Sequence, residues 1–467
     1  MDAYICVCWE VYLMSNRNQG NRSKLHDLSS SSYNVEIDPK KFKRKFYPHF
    51  DTSVHFNHLK KNITNPDWIN SHSFLPFIYF PMNFTRFGFN HELGYKIPHE
   101  KVRDIYYASH KDSMIYKYYG EILNSYYNDY ADTKGIDDVS IAYRTNKHRL
   151  SNINFAKEIF QFILMQDQAL IISMDLRKFF DHIGHVELKR SIQKVMGIHS
   201  LPDDFYKVLK SITQFTYIEQ KAIEVFLLNK YGRKKMNELI RNNTLKRIMS
   251  PKEFRQFKQK NLKYSKSQGI PQGSSMSGVC ANVRLIDVDY EINSLVKNYG
   301  GLYRRYSDDI IIVIPNNKKP VYIQEKVLKI IKRHEDLVVH PDKTQLLSYS
   351  SNQIKNEEDK DALLDYLGFT FDGKVIRLRE KSLFKYYSRA YRKARVVRNK
   401  TLKNNRKTKY QELYKLYTHL GNEEGKRHAN FITYALKAQK EMESLSVDVQ
   451  VYKPLQKHWN RIQRRLL

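Results

Sequence analysis

The chain has 467 residues, with 80 Lys and Arg against 49 Asp and Glu, so its formal net charge is +31 and its isoelectric point is near 9.7. This length allows one large domain or two to three average ones, and 41% hydrophobic residues can build real cores. Such a basic chain favours nucleic acid over an anionic membrane as its partner, because no run of about 18 apolar residues occurs. Three cysteines without metal-ligand spacing indicate no disulfide framework and favour a reducing cytoplasm.

The first 135 residues divide into two parts. Residues 1–45 are predicted to form a flexible arm, because the stretch 15–45 is polar and contains four consecutive serines. The first thirteen residues differ from that polar stretch, which makes Met14 an alternative start. Residues 46–135 are aromatic, irregular and interrupted by prolines, and no fold is assigned to this N-terminal extension.

Beyond residue 135 the apolar periodicity predicts alternating helices and strands. The predicted elements are a helix over 152–166, a buried strand at 169–172 leading into Met174-Asp175, charged helices over 185–265, a helix over 275–296, strands at 302–305 and 310–314 around a turn at 306–309, a helix over 324–333 and a hairpin at 366–378. This order fits a split βαβ layout, in which one sheet is backed by helices on one face.

The C-terminal region is strongly basic. Residues 381–409 contain twelve Lys and Arg and no acidic residue, and amphipathic helical sequence follows to residue 467. A solvated surface is the usual explanation of a charge run, but this many uncompensated cations favours a helix that binds a nucleic-acid backbone.

Three carboxylates lie at predicted strand ends. Asp175 follows an apolar strand, and Asp308 and Asp309 occupy the tip of a hairpin flanked by apolar sequence. If the two strands are neighbours, the three acids converge. With no His or Cys nearby they form an oxygen site that suits Mg²⁺, or alternatively Mn²⁺, better than zinc. Two such ions are suited to an in-line phosphoryl displacement.

Five segments resemble, in order, the motifs of reverse transcriptases. These are Ser173-Met174-Asp175-Leu176-Arg177-Lys178-Phe179-Phe180-Asp181, Gln268-Gly269-Ile270-Pro271-Gln272-Gly273-Ser274-Ser275, Tyr306-Ser307-Asp308-Asp309, His340-Pro341-Asp342-Lys343-Thr344 and Tyr366-Leu367-Gly368-Phe369. Such a set, over about 200 residues, is specific to the family. The segment Ala142-Tyr143-Arg144-Thr145-Asn146-Lys147 resembles, more loosely, a fingers segment of retron-like members of the family.

The resemblance implies a role for each matching residue. Asp175, Asp308 and Asp309 are the expected catalytic residues, and the same three with Leu176 form the expected metal site. Phe180 corresponds to an aromatic gate that rejects a ribose 2′-hydroxyl, whereas Phe179 suits core packing. Gln272, Gly273 and Lys343 are expected to contact the nucleotide. Arg144 and Lys147 are either triphosphate ligands or surface cations. Leu367 and Gly368 are expected to contact the primer. The expected nucleic-acid ligands of the basic run are Arg389, Arg392, Lys393, Arg395 and Arg398.

The implied fold is α+β, a right-hand polymerase with fingers, a palm built on a split βαβ sheet, and a helical thumb. The expected divisions are the arm at 1–45, an extension or fingers region at 46–135, the fingers and palm at 136–380 with a helical insertion at about 190–265, and the basic thumb at 381–467. The long spacing between the first motif and Gln272 implies that insertion.

The resemblance extends to bacterial "unknown group" and abortive-infection reverse transcriptases, which act in anti-phage defence. It implies a cytoplasmic enzyme that copies a structured non-coding RNA into DNA from deoxynucleotides, with no membrane partner. A homo-oligomer and several priming modes, including a protein hydroxyl, stay open. The alternatives are a retron enzyme that makes branched RNA-DNA and an RNA-binding scaffold with a relic polymerase fold. An RNA-making polymerase is disfavoured by Phe180.

Overall fold

The structure is a computed structural model that describes residue 33 and residues 35–90, 95–147, 150–315, 320–404, 411–418 and 430–466. The predicted arm up to residue 32, with the alternative start at Met14, lies outside the described residues, as do residues 405–409 of the basic run. No helix in the described ranges is both long enough and apolar enough to cross a membrane.

The described end of the predicted arm is packed, which corrects the prediction of a flexible segment there. Tyr33, Ile37 and Phe42 are each less than 10% exposed and belong to the largest apolar cluster of the chain. The Phe42 ring stacks on Phe56 with 3.8 Å between centroids, and the Tyr33 hydroxyl donates a 2.8 Å hydrogen bond to Asp204. Widely spaced aromatic residues in a polar sequence produce no periodic signal, although each ring buries a large apolar area.

The N-terminal extension contains helices and a long hairpin. Its elements are α1 (Phe56–Ile63), α2 (Pro66–Ser71), β1 (Phe77–Asn90), β2 (Tyr95–Tyr107) and α3 (His110–Thr133). Pro81 and Pro98 lie inside the two strands. Proline is tolerated there because β2 is an edge strand and β1 contacts a further strand only at residues 77–79.

The central region contains most of the predicted elements. They are α4 (Asn152–Leu164), β3 (Gln168–Asp175), α5 (Phe179–His182), α6 (His185–Met196), α7 (Asp203–Thr213), β4 (Thr216–Glu219), α8 (Gln220–Arg241), α9 (Pro251–Asn261), β5 (Lys263–Tyr264), α10 (Ser277–Arg284), α11 (Ile286–Lys297), β6 (Leu302–Tyr306), β7 (Asp309–Pro315), α12 (Pro320–Lys332), β8 (Gln345–Ser350) and β9 (Gln353–Lys355). The helix predicted over 275–296 is two helices that meet at Leu285.

The five-stranded sheet of the expected palm region, called the palm sheet below, has the strand order β6-β7-β3-β8-β9. Every neighbouring pair of its strands is antiparallel. Alternate side chains of β3 enter different cores: Leu170 and Ile172 pack with α3, α6, α10 and α11, and Ala169 and Ile171 pack with α4 and the C-terminal elements. Both faces are therefore covered, which corrects the prediction of helices on one face. The continuous apolar run of the strand is typical of a strand buried on both sides.

The predicted insertion at about 190–265 is shorter than expected. The helices α6 and α7 pack into the main core. The helices α8 and α9 instead form a separate apolar cluster on a second sheet, called the fingers sheet below after the expected fingers region. That sheet has the order β2-β1-β4-β5, in which β4 runs parallel to β1.

The C-terminal region forms a small sheet and helices. Its elements are β10 (Leu364–Tyr366), β11 (Phe369–Phe371), β12 (Val375–Leu378), α13 (Glu380–Asn404), α14 (Gln411–Tyr417), α15 (Phe431–Met442), β13 (Asp448–Gln450) and α16 (His458–Gln463). The basic helix α13 is anchored by Ala390 and Ala394, which pack against Leu413 and Ile462. The two alanines allow a close approach of the helices and leave the rest of α13 to the charged residues.

A buried ion pair holds the β6–β7 hairpin. The Arg305 and Asp289 side chains are 0% and 1% exposed, and two hydrogen bonds of 2.8 and 2.6 Å join them. A third donor of Arg305 bonds the carbonyl oxygen of Ser307 at 2.9 Å, inside the turn of the hairpin. The Tyr303 hydroxyl also donates to Asp289, at 2.7 Å. Charged groups at this depth are stable only when paired and hydrogen-bonded, as they are here.

We expect Asp289→Ala to lower the free energy of unfolding by about 3–5 kcal/mol, because it leaves the Arg305 guanidinium buried without its counter-ion. Glu291→Ala is the matched control, since the Glu291–Arg333 pair is about half exposed and its loss should cost less than about 1 kcal/mol. Urea unfolding of the two variants measures both values. Equal small losses would contradict a stabilising role of the buried pair.

Candidate active site

The three predicted aspartates converge at one end of the palm sheet. Asp175, the last residue of β3, lies directly opposite Asp309, the first residue of β7. Asp308 lies in the preceding turn, and its carbonyl oxygen accepts a 3.0 Å hydrogen bond from the amide of Leu176. Ser307 has a φ of +61°, so the turn is sharp enough to place two successive aspartates at the same strand end.

The charges of this site are only partly compensated. Partial withdrawal from solvent and the like charges of Asp308 and Asp175 raise the pKa of Asp309 to about 7, although Lys343 and Arg379 act in the opposite direction. The Lys343 ammonium group forms an ion pair with Asp175. Three carboxylates at one strand end thus repel each other more than the nearby cations can offset, which is the setting in which a cation binds.

The donor set fits a divalent cation. Asp175, Asp308 and Asp309 supply carboxylate oxygens, which are the ligands that Mg²⁺ prefers. The Leu176 side chain is 1% exposed, so only the main chain of that residue can contribute a ligand. Among the residues that the structure describes, no three His, Cys, Asp or Glu side chains already form a group that could hold a metal ion.

The predicted gate Phe180 lies beside the segment 268–275, which is called the nucleotide loop below. Phe179 is 3% exposed and belongs to the core, whereas Phe180 is only partly buried at the edge of that core. The carbonyl oxygen of Phe180 accepts a 2.8 Å hydrogen bond from the amide of Ile270. Next along this loop, the Gln272 side chain donates to Asp181 at 3.3 Å. The first two motifs are thus connected by direct hydrogen bonds.

The two glycines of the nucleotide loop allow close contacts between main chains. Gly269 and Gly273 have φ values of +89° and +123°. A Cβ atom at Gly273 would lie 2.4 Å from the carbonyl oxygen of Tyr106, and one at Gly269 would lie 2.6 Å from that of Asp181. The resemblance implied a nucleotide contact for Gly273. In the structure both glycines approach the protein's own main chain, and Gly273 brings the loop against the fingers hairpin.

The sequence left Arg144 open as a triphosphate ligand or a surface cation, and the structure corrects both alternatives because the side chain is buried and paired. Its side chain is 0% exposed, forms an ion pair with Asp137 and lies over the Tyr127 ring at 4.8 Å. Further donors bond Asn128 and the carbonyl oxygen of Ser140. All three guanidinium nitrogens therefore have partners in the fold.

Lys147 is also engaged. It forms ion pairs with Asp137 at 2.6 Å and Asp138 at 2.8 Å, and its side chain is 14% exposed. The sequence left Lys147 open as a triphosphate ligand or a surface cation, and the structure assigns it to this local ion-pair network.

The predicted primer-contacting residues form a tight turn near the aspartates. Leu367 and Gly368 link β10 and β11 with φ values of +46° and +95°. The carbonyl oxygen of Leu367 accepts a 3.0 Å hydrogen bond from the Asn152 side chain, and that of Gly368 accepts one of 3.0 Å from the amide of Arg379. Because Arg379 is one of the cations that lower the pKa of Asp309, the turn lies near that aspartate.

The predicted nucleic-acid ligands lie on α13. Three of them are exposed, namely Arg392, Arg395 and Arg398, and these recur every three residues along the helix. The other two, Arg389 and Lys393, are partly buried. The exposed stripe is suited to a phosphate backbone.

Tyr143 is a site residue that the sequence reasoning did not select. Its backbone is left-handed, with a φ of +57°, and it is 54% exposed. A Cβ atom at Gly278 would lie 2.7 Å from the Tyr143 ring, so the ring lies directly on this glycine. Desolvation of the hydroxyl raises its pKa, and the Ser307 side chain acts in the opposite direction. Tyr143 therefore lies near the turn at 306–309, a position that no local pattern indicates.

Solved structures give distant similarities. An apo telomerase from Candida tropicalis, truncated from its C-terminal domain, has a TM-score of 0.40 at 13% identity, with 68% of this chain and 59% of that chain covered. Telomerase from Candida albicans, in complex with a fragment of telomeric RNA, has a TM-score of 0.37 at 14% identity, with 69% and 48% covered. The RNA-dependent RNA polymerase of a human picorbirnavirus, as a loop-deletion mutant, has a TM-score of 0.40 at 8% identity, with 79% and 62% covered. This chain thus spans less than two thirds of the length of each.

No curated protein matches the sequence. The family described as reverse transcriptase (RNA-dependent DNA polymerase) matches residues 113–371, which is more than half of the chain. The matched range contains all three converging aspartates and the nucleotide loop. The chain therefore belongs to the reverse transcriptase family.

Proposed function

We propose that this protein is an RNA-directed DNA polymerase that adds deoxynucleotides to a growing DNA strand. The observation that carries the proposal is the register of β3 and β7, which sets Asp175 opposite Asp309 with Asp308 in the adjoining turn. Family membership supports the same activity. A relic scaffold would gain nothing from three clustered acids, whose mutual repulsion destabilises the fold.

The proposed metal ligands are Asp175, Asp308, Asp309 and the main chain of Leu176. Two Mg²⁺ ions bound there would supply the positive charge that an in-line nucleotidyl transfer requires. Lys343 lies against Asp175 and is the candidate donor of a proton to the leaving pyrophosphate. Gln272 and Phe180 would contact the base and sugar of the incoming nucleotide, and the Phe180 ring would exclude a 2′-hydroxyl.

The proposed template is a structured non-coding RNA bound by the thumb. The exposed Arg392, Arg395 and Arg398 on α13 support this, because phosphate contacts dominate the affinity for nucleic acid and do not require a particular base sequence. RNA that copurifies with the protein should then be one discrete species, and heterogeneous cellular RNA would count against a dedicated template.

Sequencing of bound RNA and of newly made DNA tests the polymerase assignment. We expect the wild type, and the control Asp359→Ala at an 82% exposed acid, to yield DNA copied from one bound RNA. The double variant Asp308→Ala, Asp309→Ala should bind the same RNA and lose DNA synthesis by a factor of about 1,000 or more, because it lacks two of the three carboxylates. DNA branched from RNA would favour the retron alternative. RNA binding without DNA in both proteins would favour the scaffold.

Replacement of the proposed gate tests sugar selection. Phe180→Ala should raise ribonucleotide incorporation relative to deoxynucleotide incorporation by about 100-fold, because the ring no longer fills the space of a 2′-hydroxyl. Phe180→Tyr keeps the ring and should retain the wild-type ratio. The measurement is the ratio of kcat/KM for the two nucleotides. An unchanged ratio in Phe180→Ala would refute the gate assignment.

We further propose that the enzyme acts in anti-phage defence, on the resemblance of its motifs to those of abortive-infection reverse transcriptases. Cells that express the wild type with the RNA that copurifies with it should lower phage plating efficiency by about tenfold or more. Cells with Asp308→Ala, Asp309→Ala should plate phage like cells without the protein. Equal protection by both proteins would separate defence from DNA synthesis.

A further inference from the structure

The insertion on the fingers, defined as residues 220–266, carries a large excess of positive charge. It contains fourteen Lys and Arg against three Glu, a net charge of +11. The whole chain carries +31, so about a tenth of the residues hold about a third of the net charge. An unbound surface of this kind repels itself, and a polyanion relieves that repulsion.

The insertion is a fixed unit of the fold. Its Ile223 and Leu227 pack with Ile78 of the fingers hairpin in a separate apolar cluster. The Phe254 ring lies 4.7 Å from that of Phe50, and an ion pair of 2.6 Å between Lys230 and Glu253 joins α8 to α9. The cations of the insertion are therefore held in place relative to the fingers sheet.

The cations of the insertion are exposed and mostly unpaired. All fourteen are exposed to solvent. Three of them, Lys230, Lys235 and Lys263, form ion pairs with glutamates. The other eleven have no carboxylate at ion-pair distance among the residues that the structure describes. A face that served only for solubility would mix both signs of charge.

The helix α9 arranges three of these cations in a stripe. Lys252, Arg255 and Lys258 recur every three residues, at a rise of about 4.5 Å per step, and all three are exposed. Phe254 and Phe257, on a different face of the same helix, pack into the apolar cluster. Because that apolar face is turned towards the protein, α9 cannot insert it into a bilayer, and an anionic membrane is disfavoured.

We propose that the stripe Lys252, Arg255 and Lys258 binds the phosphate backbone of RNA outside the catalytic site. The identification of the polyanion as RNA rests on the proposed function. The insertion packs in an apolar cluster separate from the two clusters that contain β3 and β7, so we expect the stripe to contribute affinity and not catalysis. The insertion would hold a part of the template that is not being copied.

Salt-dependent binding of a labelled RNA hairpin tests the proposal. In the triple variant Lys252→Ala, Arg255→Ala, Lys258→Ala, the slope of log affinity against log salt should fall by about 2–3, because each lost phosphate contact removes about 0.7–0.9. The advantage of the wild type over the variant should therefore shrink by about 15- to 60-fold between 50 and 200 mM salt. Single-turnover incorporation on saturating template should be unchanged.

Two control proteins separate a local effect from total charge and from misfolding. Lys332→Ala, Lys360→Ala, Lys374→Ala removes three exposed cations of the palm and small sheet, and should keep the wild-type slope. Lys252→Arg, Arg255→Lys, Lys258→Arg keeps the charge of the stripe and should keep the slope as well. An equal loss in the palm control, or an unchanged slope in the triple alanine variant, would overturn the proposal.

The source of the phosphate is tested with a DNA hairpin of the same sequence and with anionic vesicles. An effect confined to DNA or to vesicles would overturn the assignment to RNA. DNA synthesis by the same preparations is measured in parallel. If the wild type binds RNA through the stripe in a salt-dependent way but makes no DNA, the polymerase assignment is refuted and the proposed RNA-binding stripe is supported.

Discussion

The active site depends on the pairing of two strands that are buried on both faces. Ile171 and Ile172 of β3 enter opposite cores, and so do Ile311 and Ile312 of β7. A shift of one residue between the strands would exchange the faces of every side chain and leave a mismatched core on each side. Hydrophobic packing on both faces thus fixes the register, and the register places Asp175 opposite Asp309.

Fixing the carboxylates together has a free-energy cost, because burial and then the like charges of Asp308 and Asp175 raise the pKa of Asp309. The surrounding structure opposes relaxation of the turn, because Arg305 is paired with Asp289 and also bonds the carbonyl oxygen of Ser307. A turn that could relax would spread the acids and lower their repulsion. It would also lose the preorganised negative site that a cation requires. Stability and function therefore compete at this turn, and the buried ion pair resolves the competition.

The sequence predicted those features of the fold and the site that depend on residues close together in the chain. The strand into Asp175, the hairpin at 306–309 and the family motifs follow from short contiguous runs. The burial of Arg144 could not be predicted in this way, because it depends on Asp137 and on the Tyr127 ring of α3. The hairpin of the N-terminal extension was missed because prolines normally end strands, and only the sheet order shows that Pro98 lies in an edge strand and that β1 meets a second neighbour only at residues 77–79, before Pro81. The second covered face of the palm sheet likewise required knowledge of tertiary neighbours.

The charges expected to bind nucleic acid lie in other parts of the chain than the three aspartates. A phosphate backbone is repelled by the three aspartates unless cations such as Lys343 compensate them, so the centre of the palm is a poor source of affinity. The large net charge is instead concentrated before the nucleotide loop, in the insertion, and after the palm, on α13. Cations at those two places can attract a long polyanion without neutralising the carboxylates, whose negative charge the chemistry requires. The excess positive charge can therefore attract a polyanion while the aspartates keep the negative charge that a cation requires.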